Sequence, residues 1–325
     1  LGLRGWPVPA FFAAPTLNEV TWAFEGGSIT NDSIGYRVLT GAWLIDTYPQ
    51  NTYTLVNSAV DGQNSWSNLV RYPDDIQPHA PDYVVLDAVN DDKVANDPPA
   101  LEALIRRIWT DTPNCKFIAM KFFGVTDYTD DDTVYTSPDA DEWEDIEAIL
   151  DHYGIPFVDY YSEVVRQIEE ESKHLTDFFR DNIHPGDGGR ALSAEMLQAA
   201  ITAGEPKVIG TLAARLHAAS EHYEEEPQRL VGTDYDSRTG TWSDDGTVAE
   251  TSEAGATITY SGTCISFGAI RTDSSDSAIE VSIDGGEYAS VYVASNGYQI
   301  PAGRGAHTIT LKSPGTLEIA EFWMI

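Results

Sequence analysis

The chain has 325 residues, 42% of them hydrophobic, which suits two domains or one domain with a large appendage. Asp and Glu number 52 against 19 Lys and Arg, a formal net charge of −33. Such a surface repels nucleic acid and anionic lipid, which bind through positive charge. No apolar run reaches the ~18–20 residues of a membrane span, so membrane insertion is not expected.

The acids are spread along the chain rather than blocked into a tail. That fits a folded surface built for high salt, where screening within a few ångströms removes the self-repulsion. The basic residues are six Lys and thirteen Arg, and this shortage of Lys with surplus Asp resembles proteins of salt-loving archaea and their viruses. An extracellular, cell-surface or virion-surface location in a high-salt environment is the expectation. The first residues lack the basic start, apolar core and small-residue cleavage site of a secretory signal.

From about residue 19 to 203, strand-like and helix-like segments alternate. "VTWAF" (20–24) reads as a buried strand. "SIGYRVLTGAWLIDTY" (33–48) carries Ile34, Val38, Leu39, Ala42 and Ile45 at helical spacing. "YTLVNSAV" (53–60) is a second strand, and "SWSNLVRYPDDI" a short helix ending near Pro73. "DYVVLDAV" (82–89) is a third strand. "PPALEALIRRIWTDT" (98–112) starts a helix on prolines, with Leu101, Leu104, Ile105 and Ile108 on one face. "KFIAMKFF" (116–123) is a fourth strand, and "DADEWEDIEAILDHYG" (139–154) an acid-started helix closed by Gly154. "IPFVDY" is a short fifth strand and "GGRALSAEMLQAAI" (188–201) a last helix. The alternation predicts an α/β class, a three-layer parallel sheet with helices on both faces.

Composition changes after residue 204. Residues 205–228 read as a connector with some helix and an acidic end. From 229 to 325 come short alternating strands separated by Asp-Gly and Pro-Gly turns: "ATITYSG", "CISFGAI", "AIEVSIDGG", "ASVYVA", "HTITLKS" and "TLEIAEFWMI". These predict an all-β antiparallel sandwich. The layout is thus 1–204 (with 1–18 as an N-terminal extension), 205–228 and 229–325. Cys115 and Cys264 fall in different predicted domains, each in an apolar run; buried free thiols are expected before a disulfide. Two cysteines are too few for a cysteine metal site.

In a parallel α/β sheet, ligands collect at the carboxyl ends of the strands. Gly26, Gly27 and Ser28 follow the first strand; Asp61, Gly62 and Gln63 the second; Asn90 and Asp91 the third. "RDNIHPGDGG", with Asp181 and His184, leads into the last helix. These are the parts of an acyl-transfer site. A serine hydroxyl needs a base, which His184 can supply. Asp181, three residues earlier, can turn back to orient the imidazole. Ser28 N–H at a helix start, Gly62 N–H and the Asn90 amide are candidate oxyanion donors.

These stretches resemble the four blocks of the GDSL-type, or SGNH, hydrolases. "GGSIT" is similar to the first, "VNSAVDGQNS" to the second, "DAVND" to the third and "DNIHP" to the Asp-x-x-His block. Any one is weak; four in family order across roughly residues 20–200 is a specific signal. The resemblance implies a flavodoxin-like SGNH hydrolase domain, with Ser28 as nucleophile, His184 as base and Asp181 as its partner. Ser28, Gly62 and Asn90 would form the oxyanion hole. It implies no cofactor and no metal. Gly27 stands where the family usually has Asp, and Ala88 where the third block opens on Gly. The C-terminal sandwich resembles the jelly-roll modules that accompany carbohydrate esterases of this type.

Alone, Ser28 would read as a turn serine and Asn90 as a cap. His79, His152, His174, His217, His222 and His307 lack an Asp-x-x-His setting and read as structural or solvated. Trp66, Tyr72, Tyr128 and Tyr135 are candidates for a sugar cleft, with packing as the commoner role. The acidic stretch 127–145 and "DYDSRTG" (234–240) fit no calcium loop.

The reading that follows is a serine esterase removing O-acyl, foremost O-acetyl, groups from a carbohydrate, its partner an acylated glycan or other ester. The rival is a virion or cell-surface glycan-binding or structural protein with weak or no activity, as a homo-oligomer or surface assembly. A lipase or thioesterase ranks third, since no extended apolar lid is evident.

Overall fold

The structure is a computed structural model that describes residues 19–87, 97–123, 140–217, 228–231, 233–246, 248–271, 278–292, 300–315 and 317–324. The chain divides into two compact units, Leu1–Ser220 and Glu221–Ile325.

The first unit is built on five parallel strands: β1 (Glu19–Gly26), β2 (Thr52–Asn57), β3 (Tyr83–Asp87), β4 (Lys116–Lys121) and β5 (Phe157–Asp159). Their order is β2-β1-β3-β4-β5. This is the flavodoxin-like order, which places the carboxyl ends of β1 and β3 at the topological switch point where such folds bind ligands. Between the strands lie α1 (Ser28–Asn31), α2 (Tyr36–Thr47), α3 (Ser65–Asp75), α4 (Asp97–Asp111) and α5 (Ala140–Tyr153). After β5 come α6 (Tyr160–Glu171), α7 (Leu175–Phe178) and α8 (Asp187–Ala203).

The α/β class and the order of elements follow the sequence expectation; three details differ. The apolar spacing on α2 marks the wrong face: Tyr36, Thr40, Gly41 and Leu44 are buried, whereas Ile34, Val38, Leu39 and Ile45 are exposed. Gly41 lies against Leu55 of β2, and Tyr36 reaches inward to Thr30, so sheet geometry overrides the larger apolar stripe. Helix α3 runs through Pro73 to Asp75 instead of ending there. Helices α6 and α7 were not expected; Asp159 caps α6 by accepting from the Ser162 amide at 2.9 Å.

A strand of two residues follows α8. Strand β6 (Lys207–Val208) pairs antiparallel with the start of β4. In the described part of the expected connector, 205–217, there is no helix. That segment is tied to the first unit: Trp109 Nε1 donates to the Ile209 carbonyl (2.5 Å) and Arg106 Nη1 to the Ala213 carbonyl (2.8 Å). The fully buried Glu102 accepts from the amides of Leu216 (2.6 Å) and His217 (2.8 Å).

The second unit is antiparallel throughout. Its strands are β7 (Gln228–Val231), β8 (Ser237–Thr239), β9 (Ser243–Asp244), β10 (Ala249–Thr251), β11 (Thr257–Arg271), β12 (Ala278–Ile283), β13 (Ala289–Tyr292), β14 (Ile300–Lys312) and β15 (Leu317–Met324). The order is β13-β12-β14-β11-β15-β10-β9, with β7 on β15 and β8 on β11. "ATITYSG" and "CISFGAI" are one strand here, β11, whose register against β14 shifts between Cys264 and Ser266. Such an irregularity bends a strand, and one long strand can then serve neighbours at both ends. Here they are β8 at 257–259 and β15 at 267–271. Tyr260 and Phe322 stack at 4.1 Å within a core of Ile258, Ile309, Leu311, Leu317 and Ile319.

Candidate active site

Trp22 and Phe24 point from β1 into the core shared with α2 and α8. Alternation therefore sends Ala23 and Glu25 to the opposite face. The strand ends at Gly26, and α1 begins two residues later at Ser28. A Cβ on Gly26 would lie 2.9 Å from Asp87 Cβ and 2.8 Å from Thr30 Oγ1. Glycine thus lets β1 turn into α1 against the end of β3. Gly26→Ala is expected to destabilise the protein by about 1–3 kcal/mol, the usual cost of overpacking. Urea denaturation would measure this, and ester turnover should fall with it.

Helix α1 is held by a buried chain of polar side chains. Thr30 Oγ1 donates to Asp87 Oδ2 at 2.5 Å and meets the Tyr36 hydroxyl at 2.6 Å. Burial, with the nearby Asp87 carboxylate adding to it, pushes the Tyr36 phenol well above its ordinary range. Tyr36 therefore remains a neutral hydrogen-bonding group.

The loop after β2 runs beside this turn. Ser58 N–H donates to the Phe24 carbonyl (3.0 Å) and Val60 N–H to the Gly26 carbonyl (3.2 Å). The chain then turns through Asp61 and Gly62, with Gln63 N–H returning to the Val60 carbonyl at 3.2 Å. Gly62 has φ +69, which the third position of such a turn requires and which favours glycine.

The loop that carries His184 lies between α7 and α8. Its two stems are pinned by Arg180 N–H to the His184 carbonyl (3.0 Å) and Gly186 N–H to the Phe178 carbonyl (2.8 Å). Phe179 packs edge-on against Phe123 at 5.1 Å. Between the stems, Asp181 Oδ1 accepts the amides of His184 (2.7 Å) and Ile183 (2.9 Å). His184 Nδ1 lies 3.0 and 2.9 Å from the two Asp181 oxygens, and His184 Nε2 lies 2.9 Å from Ser28 Oγ. An ionised carboxylate only accepts, so Nδ1 carries the imidazole proton and Nε2 faces Ser28 as an acceptor. Burial works to raise the Asp181 pKa, but the His184 and Ile183 amides and the imidazole outweigh it and hold the carboxyl below its ordinary range.

Two arginines were missed by sequence reasoning. Arg190, in the first turn of α8, reaches Asp32 Oδ2 through Nε and Nη2, both at 2.8 Å, and Asp187 through Nη1 at 2.9 Å. Asp32 closes α1, so this pair clamps the serine turn to the helix that follows the His184 loop. Arg180 stands nearby, 3.6 Å from Asp181 and 3.9 Å from Asp32. No local spacing signals these contacts, because Asp32 and Arg190 are separated by 158 positions.

The structure therefore brings Ser28, His184 and Asp181 into one hydrogen-bonded line and sets the Gly62 turn beside β1. Asn90 lies outside the described residues, as do Ala88, Asp91, Asp92, Tyr128, Tyr135, His222 and most of the acidic stretch 127–145. Trp66 and Tyr72, candidates for a sugar cleft, are buried. His307 does have a carboxylate partner, Asp284 at 2.8 Å, within the second unit. That Asp also accepts the Thr308 amide and so serves a turn. Cys115 is a buried free thiol, its pKa raised by burial; the side chain of Cys264 lies outside the described residues. Among the described residues no group of three or more His, Cys, Asp or Glu side chains could hold a metal ion. Nor is any described helix long and apolar enough to cross a membrane.

Among solved structures, the chain is similar to a two-domain esterase active on acetylated mannans, co-crystallized with mannopentaose. The two are 18% identical with a TM-score of 0.74, covering 94% of this chain and 90% of that one. A second structure of a two-domain esterase active on acetylated mannans gives 17% identity and a TM-score of 0.75, covering 94% and 91%. At these identities the likeness is one of fold. No curated protein sequence matches the chain. Residues 24–192, more than half of the chain and the span that holds Ser28, Gly62, Asp181 and His184, match the GDSL-like lipase/acylhydrolase family, and the chain belongs to that family.

Proposed function

We propose that the chain is a serine esterase that removes O-acyl groups, foremost O-acetyl, from a carbohydrate. The observation that carries this reading is the unbroken line Ser28 Oγ–His184 Nε2 and His184 Nδ1–Asp181. Ser28 Oγ attacks the ester carbonyl carbon as its proton passes to His184 Nε2. The carbonyl oxygen becomes an oxyanion, for which Ser28 N–H, Gly62 N–H and the Asn90 amide are the proposed donors. The tetrahedral species collapses, the C–O bond to the sugar breaks, and His184 returns the proton to the leaving hydroxyl. Water then attacks the acyl-serine by the same route and frees the acid. Asp181 orients the imidazole and stabilises its charged form.

The acetyl and carbohydrate preference draws on the full-length fold likeness to an esterase active on acetylated mannans. The formal charge of −33 supports operation in high salt. In that reading, molar KCl raises both activity and melting temperature, because screening shrinks to about 3 Å at 1 M. The test is hydrolysis, in molar KCl, of acetylated mannan and xylan oligosaccharides and of p-nitrophenyl acetate against p-nitrophenyl octanoate. Acetyl release that Ser28→Ala abolishes supports the proposal. Glycan binding without hydrolysis would replace it with a surface-binding role, and a preference for octanoate with a lipase.

A further inference from the structure

The backbone bonds that hold the loop after β2 to the nucleophile's strand run only as far as Val60 N–H to the Gly26 carbonyl. The peptide that bears the Gly62 N–H lies beyond them, between Asp61 and Gly62. A side-chain bridge reaches it from α1. Asn31, the last residue of α1, donates from Nδ2 to Asp61 Oδ1 at 2.8 Å. Its Oδ1 accepts from Asn57 Nδ2 at 2.9 Å, and Asn57 Oδ1 in turn accepts the Ala59 amide at 3.3 Å. Because Asp61 is acceptor-only, the NH₂ of Asn31 must face it, and both ends of that amide are then used.

Asn31 stands three residues after Ser28, one turn along the same helix, so the two side chains share a side of α1. Its own N–H closes the helix onto the Gly27 carbonyl at 3.0 Å. We propose that Asn31 is a positioning residue that fixes the distance between the Ser28 nucleophile and the oxyanion-donating Asp61–Gly62 peptide, with Asn57 holding its carboxamide in place. The inference rests on the functional reading above and adds the device that registers two parts of that site. The oxyanion forms on the atom that Ser28 attacks, so a donor helps only if its place relative to Ser28 Oγ is fixed. The bridge begins on the nucleophile's own helix and ends on the residue before the donor. Any shift of one is carried to the other.

The bridge is solvent-exposed. Exposed hydrogen bonds add little to global stability, so its loss should appear in the chemical step and not in the melting temperature. Asn31→Ala is expected to lower kcat about 10- to 100-fold, short of the roughly 10²–10³ that removal of an oxyanion donor costs. KM should stay within about twofold and Tm within about 2 °C of the wild type, as for other surface substitutions.

A charge exchange supplies the second arm. Asn31→Asp sets a carboxylate against Asp61 and should lose more than Asn31→Ala. In the double variant Asn31→Asp/Asp61→Asn, the amide at position 61 can donate to the carboxylate at position 31, and Asn57 still donates to it. Recovery to within about threefold of wild-type kcat is expected, a coupling that a double-mutant cycle reads directly. The substrate is p-nitrophenyl acetate, with wild type and Ser28→Ala in the same assay. Unchanged kcat in Asn31→Ala overturns the inference. So does a double variant no better than Asn31→Asp, or a fall in Tm beyond about 5 °C, which would mark Asn31 as part of the general scaffold. Absence of Ser28-dependent turnover in the wild type overturns the functional reading itself and this inference with it.

Discussion

Ser28→Ala is expected to lower ester turnover by about 10⁴- to 10⁶-fold, since the proposed mechanism passes the acyl group to that hydroxyl. Fold and melting temperature should be nearly unchanged, because Ser28 is only half-buried and, among the described residues, its hydroxyl contributes one hydrogen bond, to His184. His184→Ala should cost a similar factor, and the double variant should be no worse than either single one. In the proposed mechanism nucleophile and base act as one unit, so their losses do not add. The check is steady-state kinetics with p-nitrophenyl acetate, together with covalent labelling by a fluorophosphonate. Residual turnover above about one per cent of wild type in Ser28→Ala would mean that another group attacks the ester, given the size of the usual loss.

Glu25→Gln is expected to make the protein more stable at alkaline pH, by several kcal/mol. Glu25 is the penultimate residue of β1 and is fully buried; among the described residues neither carboxyl oxygen makes a hydrogen bond of good geometry, though the Asn68 side chain stands close enough to pull its pKa down. Burial raises its pKa to about 8, against the opposing pull of Arg71 and Asn68 on α3. Arg71 is already engaged, donating to Gln63 Oε1 at 2.6 Å and pairing with Asp75. The unfolded carboxyl, with an ordinary value of 4.5, gives up its proton first as pH rises, while the folded one keeps it. Its ionisation therefore costs nothing well below pH 4.5, and stability is lost progressively as pH climbs towards 8. The full loss is about 4–5 kcal/mol above that window, since each tenfold difference in proton affinity between the folded and unfolded carboxyl is worth about 1.36 kcal/mol. An amide stays neutral throughout. Urea denaturation from pH 5 to 9 should show the variant pulling ahead of the wild type as pH rises. Parallel pH profiles for the two proteins would show that Glu25 is ionised in the native state.

Much of this molecule is legible along the chain because the relevant physics is local. Alternating strand and helix periods dictate a parallel sheet covered on both faces, and the structure has one. The Asp181–His184 pair is three residues long, so its carboxylate can reach its imidazole within one loop. The turn at Gly62 and the close approach at Gly26 are likewise signalled by glycines after strands. The buried face of α2 is not legible, because spacing counts apolar residues and cannot tell which stripe the sheet will cover. The larger stripe, with Ile34, Val38 and Ile45, is left exposed, and Tyr36 and Thr40 go inside.

By itself, then, the sequence determined the fold class and the family, and it singled out the candidate reacting groups, all of which depend on neighbours or on strand ends. Only the tertiary structure decided what joins positions far apart. It set His184 Nε2 2.9 Å from a serine 156 positions away, and it clamped Asp32 with Arg190. It also buried Glu25 completely and spanned α1 and the Gly62 turn with Asn31. Such contacts have no period and no motif. They arise where the carboxyl ends of β1 and its neighbours bring together loops whose separation along the chain carries no information about distance.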